Sequence, residues 1–272
     1  MRIAVLMTCY NRVETTLKCL RTLFAQKCDA SIAVFLVDDA SPDGTGARVK
    51  AEFPQVTVIP GTGALYWCKG MNLAWRKAGT DHDAFLWLND DVELKAGALA
   101  GLLADADATG WKGVVVGSFL DGDRNMTFGV REKGRWVSPN GRPTLTTGDI
   151  SGNCVLVPRK VIDQIGIIAD DYSHAYGDSD YSARMRKARI PYYLASEVCG
   201  RCDDAKPDRA LEAESLLERV KFLFLPGGRN LRDAIVYRWR YYGFWRALLT
   251  AGHVTCLVIK GRRTPLSRTK GC

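Results

Sequence analysis

Short apolar runs alternate with amphipathic stretches along the first third of the chain. Arg2–Met7 is apolar and uninterrupted, which predicts a buried strand, and Val13–Gln26 carries Leu17, Leu20, Leu23 and Phe24 at helical spacing. Ser31–Val37 predicts a second strand, ending on Asp38-Asp39. Gly44–Phe53 reads as a helix, Val56–Ile59 as a third strand and Met71–Ala78 as a helix. Ala84–Leu88 is a fourth strand, followed at once by Asn89-Asp90-Asp91. Alternating strand and helix patterns imply an α/β fold with a mostly parallel sheet flanked by helices. Ligands of such sheets bind beyond the carboxyl ends of the strands. The polar clusters Thr8–Arg12, Asp38–Ser41 and Asn89–Asp91 all follow strands, so they are expected on one edge.

The pattern then loosens. Gly113 to Gly148 is rich in Gly, Asp and Arg and predicts short strands and hairpins at Val114–Phe119, Met126–Val130 and Arg135–Val137. Val155–Pro158 predicts a strand, Arg159–Ile165 a helix and Asp180–Ala188 another helix. There is no internal repeat. The expected organisation is one large domain over residues 1–208, made of two halves, 1–112 and 113–208. Residues 209–272 form a helical basic extension.

Composition supports one large globular domain with an appendage: 272 residues, 47% hydrophobic and 25% charged. Nine cysteines, an odd and scattered set, argue against a disulfide framework and for a reducing compartment. The apolar run Ile3–Met7 is too short for the core of a signal peptide, so a cytoplasmic location is expected. The net charge of +8 is unevenly spread. Residues 219–272 hold twelve Lys/Arg against the single acid Asp233, a net +11, which leaves the first 218 residues at −3. A basic tail seeks anionic surfaces.

Two acids at a strand end repel each other unless a cation lies between them and a phosphate. Mg²⁺ and Mn²⁺ favour carboxylate, water and phosphate oxygens. Asp90 and Asp91 therefore suggest a divalent metal, although a solvated acidic turn has the same composition. Asp38 and Asp39 can accept hydrogen bonds from a base edge or ribose, while Ser41 or Asp43 suits the start of a helix. Thr8 and Asn11 offer hydrogen bonds, and Arg12 can meet a phosphate. No G-x-G-x-x-G follows the first strand, which disfavours a dinucleotide-binding fold. The absence of glycine in Thr8–Arg12 disfavours a sugar nucleotidyltransferase.

Six stretches, in order and spacing, resemble glycosyltransferase family 2, inverting enzymes of GT-A fold that use nucleotide-diphosphate sugars. They are TCYNR (Thr8–Arg12), VDDASPDGT (Val37–Thr45), GALYWCKGMNLAW (Gly63–Trp75), WLNDDVEL (Trp87–Leu94), SGNCVLVPRKVIDQIG (Ser151–Gly166) and GDSDYSARMRKA (Gly177–Ala188). The resemblance implies that Thr8, Tyr10 and Arg12 line the nucleotide pocket. It implies that Asp39 holds the base with Asp38 in support, and that Lys69, Gly70 and Asn72 close over the nucleotide. Trp67 shapes the sugar pocket, and Gly152 and Asn153 lie beside donor sugar and acceptor. Asp91 is the metal ligand that ends the family's D-x-D, whose first position is Asn89 here, so Asp90 or water is available to take that place. Asp178 matches the catalytic base, although the family's preceding Glu is Gly177 here. Asp180 and His174 belong to the acceptor side, and Asp180 is also expected to engage Arg184 one turn on. The family's usual histidine ligand is replaced by Cys199-Gly-Arg-Cys202, within which Arg201 is a candidate for the diphosphate.

The implied activity is metal-assisted transfer, with Mn²⁺ or Mg²⁺, from a UDP- or dTDP-sugar to a hydroxyl of a glycan or lipid-linked glycan. Arg229–Lys260 mixes arginine with Trp239, Tyr241, Tyr242, Phe244 and Trp245, and the less polar Ala247–Ile259 is shorter than the roughly 20 residues of a bilayer span. An anionic membrane surface is therefore a candidate partner, at its inner face. The competing readings are a non-catalytic nucleotide-sugar binder and a transferase with a nucleic-acid acceptor. Nucleic acid is disfavoured because the acidic strand ends repel phosphate without a metal.

Overall fold

The computed structural model describes residues 1–203, 215–225 and 230–260. The chain divides into two units, Met1–Asp204 and Ala205–Cys272. The boundary expected at residue 208 lies outside the described residues.

The first unit begins with β1 (Arg2–Cys9), α1 (Val13–Phe24), β2 (Ser31–Asp38), α2 (Thr45–Glu52), β3 (Thr57–Pro60), α3 (Tyr66–Ala78) and β4 (Ala84–Leu88). It continues through β5 (Glu93–Leu94), α4 (Ala98–Ala108), β6 (Val114–Leu120) and the short strands β7 (Met126–Phe128), β8 (Val130–Glu132), β9 (Arg135–Trp136), β10 (Thr144–Thr146) and β11 (Asp149–Ile150). β12 (Cys154–Pro158), α5 (Arg159–Ile165), α6 (Gly177–Lys187) and β13 (Tyr192–Arg201) complete it. The main sheet runs β10-β13-β6-β12-β4-β1-β2-β3, with β5 and β7 on its margins, and β11-β8-β9 form a separate small sheet. The β4-β1-β2-β3 run is parallel, as is the β13–β6 pair, whereas β12 is antiparallel to both neighbours.

Strand alternation divides the core between the two faces of the sheet. Ile3, Val5 and Met7 pack with Leu17, Leu20 and Leu102 on one face, while Ala4 and Leu6 join Trp75, Trp87 and Tyr181 on the other. On that second face Trp67, Trp75 and Tyr181 surround Trp87, with ring centroids 5.0–6.1 Å from it. This aromatic layer lies beneath α3 and α6, the helices whose first turns reach the sheet edge. Helix α4 follows no predicted element. Its Leu99, Leu102, Leu103 and Ala106 repeat at helical spacing, but Gly101, Asp105 and Asp107 dilute the pattern. Asp105 is buried because its carboxylate accepts both the amide and the hydroxyl of Ser196, at 2.7 and 3.0 Å.

The second unit contains α7 (Leu216–Phe222), α8 (Leu231–Tyr242) and α9 (Phe244–Lys260). Ser215 accepts the Glu218 amide and Asn230 the Asp233 amide, each satisfying a free donor at a helix start. Gly243, at φ 83°, turns the chain between α8 and α9. Leu223, Val254 and Val258 form the small core, with Leu231 against it. Among the described residues no helix is long and apolar enough to cross a membrane.

Candidate active site

Parallel pairing brings the ends of β1, β2 and β4 to one edge. Cys9 pairs with Asp38, and Leu6 with Trp87. The antiparallel β12 enters the sheet at that edge, with Cys154 opposite Leu88, so Gly152-Asn153 arrive beside Asn89. The Asn89 amide donates to the Asn153 carbonyl at 2.9 Å. Asn89 and Asn153, 64 positions apart, thus meet because one strand runs against the others.

Arg12 closes the acidic end of β4. Its Nη1 lies 2.9 Å from Asp91 Oδ2 and 3.4 Å from Asp90 Oδ1. Thr16, one turn along α1, donates its hydroxyl to Asp90 Oδ2 at 3.2 Å. Asp90 is buried, and Asp91 is about one-third exposed. Burial, and then the charge of Asp91, push the Asp90 carboxyl up to about 7, against the opposing pull of Arg12. Near neutral pH the pair therefore carries less than two full negative charges. Cys202 Sγ lies 3.9 Å from Asp91 Oδ1, and burial pushes its thiol up, so the wall there is a neutral thiol.

The first acidic pair has a different fate. Asp38 accepts the amides of Ser41 and Gly46 at 3.0 and 3.1 Å. Asp39 is buried and accepts four amides: Thr62 and Gly63 on one oxygen, Leu65 and Tyr66 on the other, at 2.7–3.1 Å. Four donors match the lone-pair capacity of a carboxylate. Asp39, expected to hold the base, here organises the 61–66 loop and the start of α3, where amide donors lack helical partners.

That loop delivers Trp67. Its indole Nε1 donates to Asn89 Oδ1 at 2.7 Å. Its six-membered ring lies over Gly152 and Gly177, where an added Cβ at either position would run into the ring or into Cys68 Sγ. The glycine at 177, where the resembling family has Glu, is explained by this contact. Gly152 in turn donates its amide to Asp178 Oδ2 at 3.2 Å, and the Ser179 amide meets Oδ1 at 2.7 Å. Asn89, Trp67, Gly152 and Asp178 thereby form a continuous chain of contacts across the site. Burial raises the Asp178 carboxyl, while the two amides oppose the shift.

Other expected residues stand as follows. Gly70 lets α3 approach Thr8, whose hydroxyl occupies the space of a Cβ at 70. Tyr10 and Lys69 are exposed. His174 is exposed, edge-on to Tyr66. Asn153 is buried with its Nδ2 3.7 Å from Cys202 Sγ. Asn72 and Asp180 are engaged inside the protein. The Asn72 amide group donates to the Ile168 carbonyl and accepts from Arg76 Nε. Asp180 is fully buried, bonded to Tyr172 and, at 2.9 Å, to Arg184, the partner expected one turn on. Arg201 pairs with Asp203 at 3.1 Å. Thr16 was not expected at the site, although its spacing one turn from Arg12 is a usable signal. Cys202 ends the Cys199-Gly-Arg-Cys202 stretch that stands where the resembling family has its histidine, and its thiol reaches Asp91.

For a divalent cation the strand end offers one partly exposed carboxylate, Asp91, paired here with Arg12. Asn89 already gives its Oδ1 to Trp67, and among the described residues no group of three or more His, Cys, Asp or Glu can hold a metal. Mg²⁺-type ions commonly bind through one or two carboxylates, with substrate phosphates and waters completing the shell. Asp91 fits that mode, provided a diphosphate supplies the remaining oxygens and Arg12 moves off.

The family model described as Glycosyl transferase family 2 matches residues 4–166. No curated protein matches the chain. Among solved structures, the 1–349 fragment of TarS from S. aureus in complex with UDP-GlcNAc has a TM-score of 0.58 at 15% identity, covering 95% of this chain and 82% of that one. TarS 1–349 alone gives 0.56 at 16% identity, over 89% and 73%. The mannosyltransferase PcManGT from Pyrobaculum calidifontis, in complex with GDP-Man and Mn²⁺, gives 0.53 at 20% identity, over 97% and 76%. At these identities the likeness establishes the fold, a GT-A type α/β sheet, while the family match covers more than half of the chain and all of the parallel strands that build the site. The chain belongs to glycosyl transferase family 2 and is a glycosyltransferase.

Proposed function

We propose that the protein transfers a sugar, with inversion, from a nucleoside-diphosphate donor to a hydroxyl of a glycan or lipid-linked glycan acceptor. The observation that carries this reading is the contact chain from Asn89 through Trp67 and Gly152 to Asp178. It sets a carboxylate opposite the acidic strand end, with an aromatic wall between them. Inversion needs that layout: an attacking hydroxyl on one side of the anomeric carbon and a departing diphosphate on the other.

In this reading Thr8, Tyr10, Arg12 and Lys69 surround the nucleotide, and Asp39 acts by shaping the loop that covers it. Asp91 would hold Mn²⁺ or Mg²⁺, and the cation would supply charge neutralisation to the diphosphate. The exchange is local: Arg12 leaves Asp91 and becomes available to a phosphate oxygen, and Thr16 keeps Asp90 in place. Asp178 accepts the acceptor hydroxyl proton as the oxygen bonds to the anomeric carbon. The bond from that carbon to the diphosphate breaks, and its electron pair leaves with the nucleotide. A carboxyl held above its ordinary range by burial is a stronger base than a solvated one. The structural relatives include complexes with UDP-GlcNAc and with GDP-Man, so UDP- and GDP-sugars join dTDP-sugars as donors to test. We place the reaction at the inner face of a membrane. The test is donor turnover with each of these sugars, with Mn²⁺ and with chelator. Turnover that requires Mn²⁺ and falls in Asp178→Asn supports the reading; no donor binding under any condition overturns it.

A further inference from the structure

Helix α9 is apolar on two opposite sides. Its inner stripe, Ala247, Val254 and Val258, is buried, with Val254 and Val258 packed against Leu223. A surface helix of a soluble protein presents a polar face opposite such a stripe. Here the opposite stripe is Trp245, Leu248, Leu249, Gly252, Cys256 and Ile259, all exposed. Trp245 is 74% exposed and Leu249 67%. At the Gly243 turn, Trp239 and Tyr242 at the end of α8 are also exposed. Phe244 stands edge-on to both Trp239 and Trp245, with ring centroids 6.2 and 5.4 Å apart. The patch thus combines an aliphatic stripe with an aromatic cluster at one end.

Its charges are all of one sign. Arg240 and Arg246 flank the aromatic corner, and Lys260 ends the helix. The single acid of α8 and α9, Asp233, is fully buried and lies 3.2 Å from Arg232. A second copy of this face would set arginine against arginine, and nucleic acid would meet leucine and tryptophan. A surface that is at once anionic and apolar satisfies both features. Amphipathic rings and cationic side chains favour the headgroup level, and leucines the acyl boundary beneath it.

We infer that the outer stripe of α9, with the aromatic corner at Gly243, is a docking surface for an anionic lipid bilayer. Trp245, Leu248, Leu249 and Ile259 enter the interface, and Arg240, Arg246 and Lys260 contact lipid phosphates. The helix lies in the plane of the membrane. This gives the membrane location proposed above its contact residues, and it stands or falls separately from donor chemistry, which is read by nucleotide binding.

The test is flotation of the full chain with phosphatidylglycerol–phosphatidylcholine vesicles and with phosphatidylcholine vesicles alone. Binding is expected with the anionic vesicles, weakening as salt rises, and at least about tenfold less with the neutral ones. Leu248→Glu/Leu249→Glu should abolish flotation at every salt concentration while leaving nucleotide affinity unchanged, since both side chains are exposed. Arg240→Gln/Arg246→Gln should weaken it by roughly tenfold or more. The inference is overturned if the wild-type chain stays off anionic vesicles at low salt. It is also overturned if the glutamate pair floats undiminished, because binding then follows charge alone. A glutamate pair that turns a dimer into a monomer, without vesicle binding in either form, would assign the face to self-association instead.

Discussion

Two acidic pairs end neighbouring strands of the same sheet, and their carboxylates are held in opposite ways. Asp38 and Asp39 are bound by six backbone amides, none of which can move without moving a loop. Asp90 and Asp91 are bound by the side chains of Arg12 and Thr16, and Arg12 is about half exposed. A carboxylate fixed by amides belongs to the fold. One held by a solvent-facing side chain can exchange that partner for a ligand. Asp178 lies between these cases, with two amides on its oxygens and burial raising its proton affinity. In the proposed function this contrast separates residues that build the site from residues that work in it.

Asp178 gives the largest expected effect. Asp178→Asn keeps the size of the side chain and should lower kcat by at least about 10²-fold, with donor affinity nearly unchanged. Because burial raises the Asp178 carboxyl, wild-type kcat should fall as pH drops through that raised value, a limb the variant lacks. Asp180→Asn is the contrasting change: it removes charge from the buried pair with Arg184 and should lower stability with much less effect on turnover. If Asp180→Asn loses turnover while Asp178→Asn keeps it, the two roles are exchanged.

Asp39 comes next. Asp39→Ala strips four amides of their acceptor and should reduce the unfolding free energy by about 3 kcal/mol or more, read by urea denaturation. Nucleotide affinity would fall with it, because the 61–66 loop loses its anchor. Lost nucleotide affinity at unchanged stability would instead put the Asp39 carboxylate on the base.

The strand and helix order of the first half was legible because each element carries its own apolar period: Arg2–Met7, Leu17 to Phe24, Ala84–Leu88. What failed locally was decided elsewhere in the chain. Helix α3 begins at Tyr66 rather than Met71. Gly70, which reads as a breaker, is there to admit Thr8. Lys69 to Asn72 match a family motif, yet Asn72 turns to the Ile168 carbonyl, a contact across 96 residues that no spacing reveals. The acids Asp38 to Asp39 and Asp90 to Asp91 look alike in sequence. Only the path of the 61–66 loop and the reach of Arg12 across about 80 residues distinguish them. Cys202 meets Asp91 for the same reason, a contact across 111 residues that no local spacing reveals.

Smaller effects sharpen the contrast at Asp90. Burial raises its folded value to about 7, above the roughly 3.9 of an unfolded chain, so the folded state binds the proton more tightly. Its stabilising contribution is complete below about pH 4 and is lost as pH rises towards 7. The unfolding free energy of the metal-free wild type, taken relative to Asp90→Asn, should therefore decline over that window. A constant difference would mean that Arg12 and Thr16 hold Asp90 ionised throughout. The smallest effect is expected for Asn89→Ala. It keeps the Trp67 ring over Gly152 and Gly177 but removes the acceptor of the indole N–H, costing about 1 kcal/mol in unfolding or kcat/KM. No loss in either would remove Asn89 from the contact chain.

The exchange of Arg12 for a cation on Asp91 is tested most directly by calorimetric titration with UDP and GDP, with Mn²⁺ and with chelator, in the wild type and in Asp91→Asn. Mn²⁺ should raise wild-type nucleotide affinity by about tenfold or more, on the scale of one charged contact, and should leave the affinity of Asp91→Asn unchanged. Equal wild-type affinity with and without the metal, or full metal dependence in Asp91→Asn, would contradict the account.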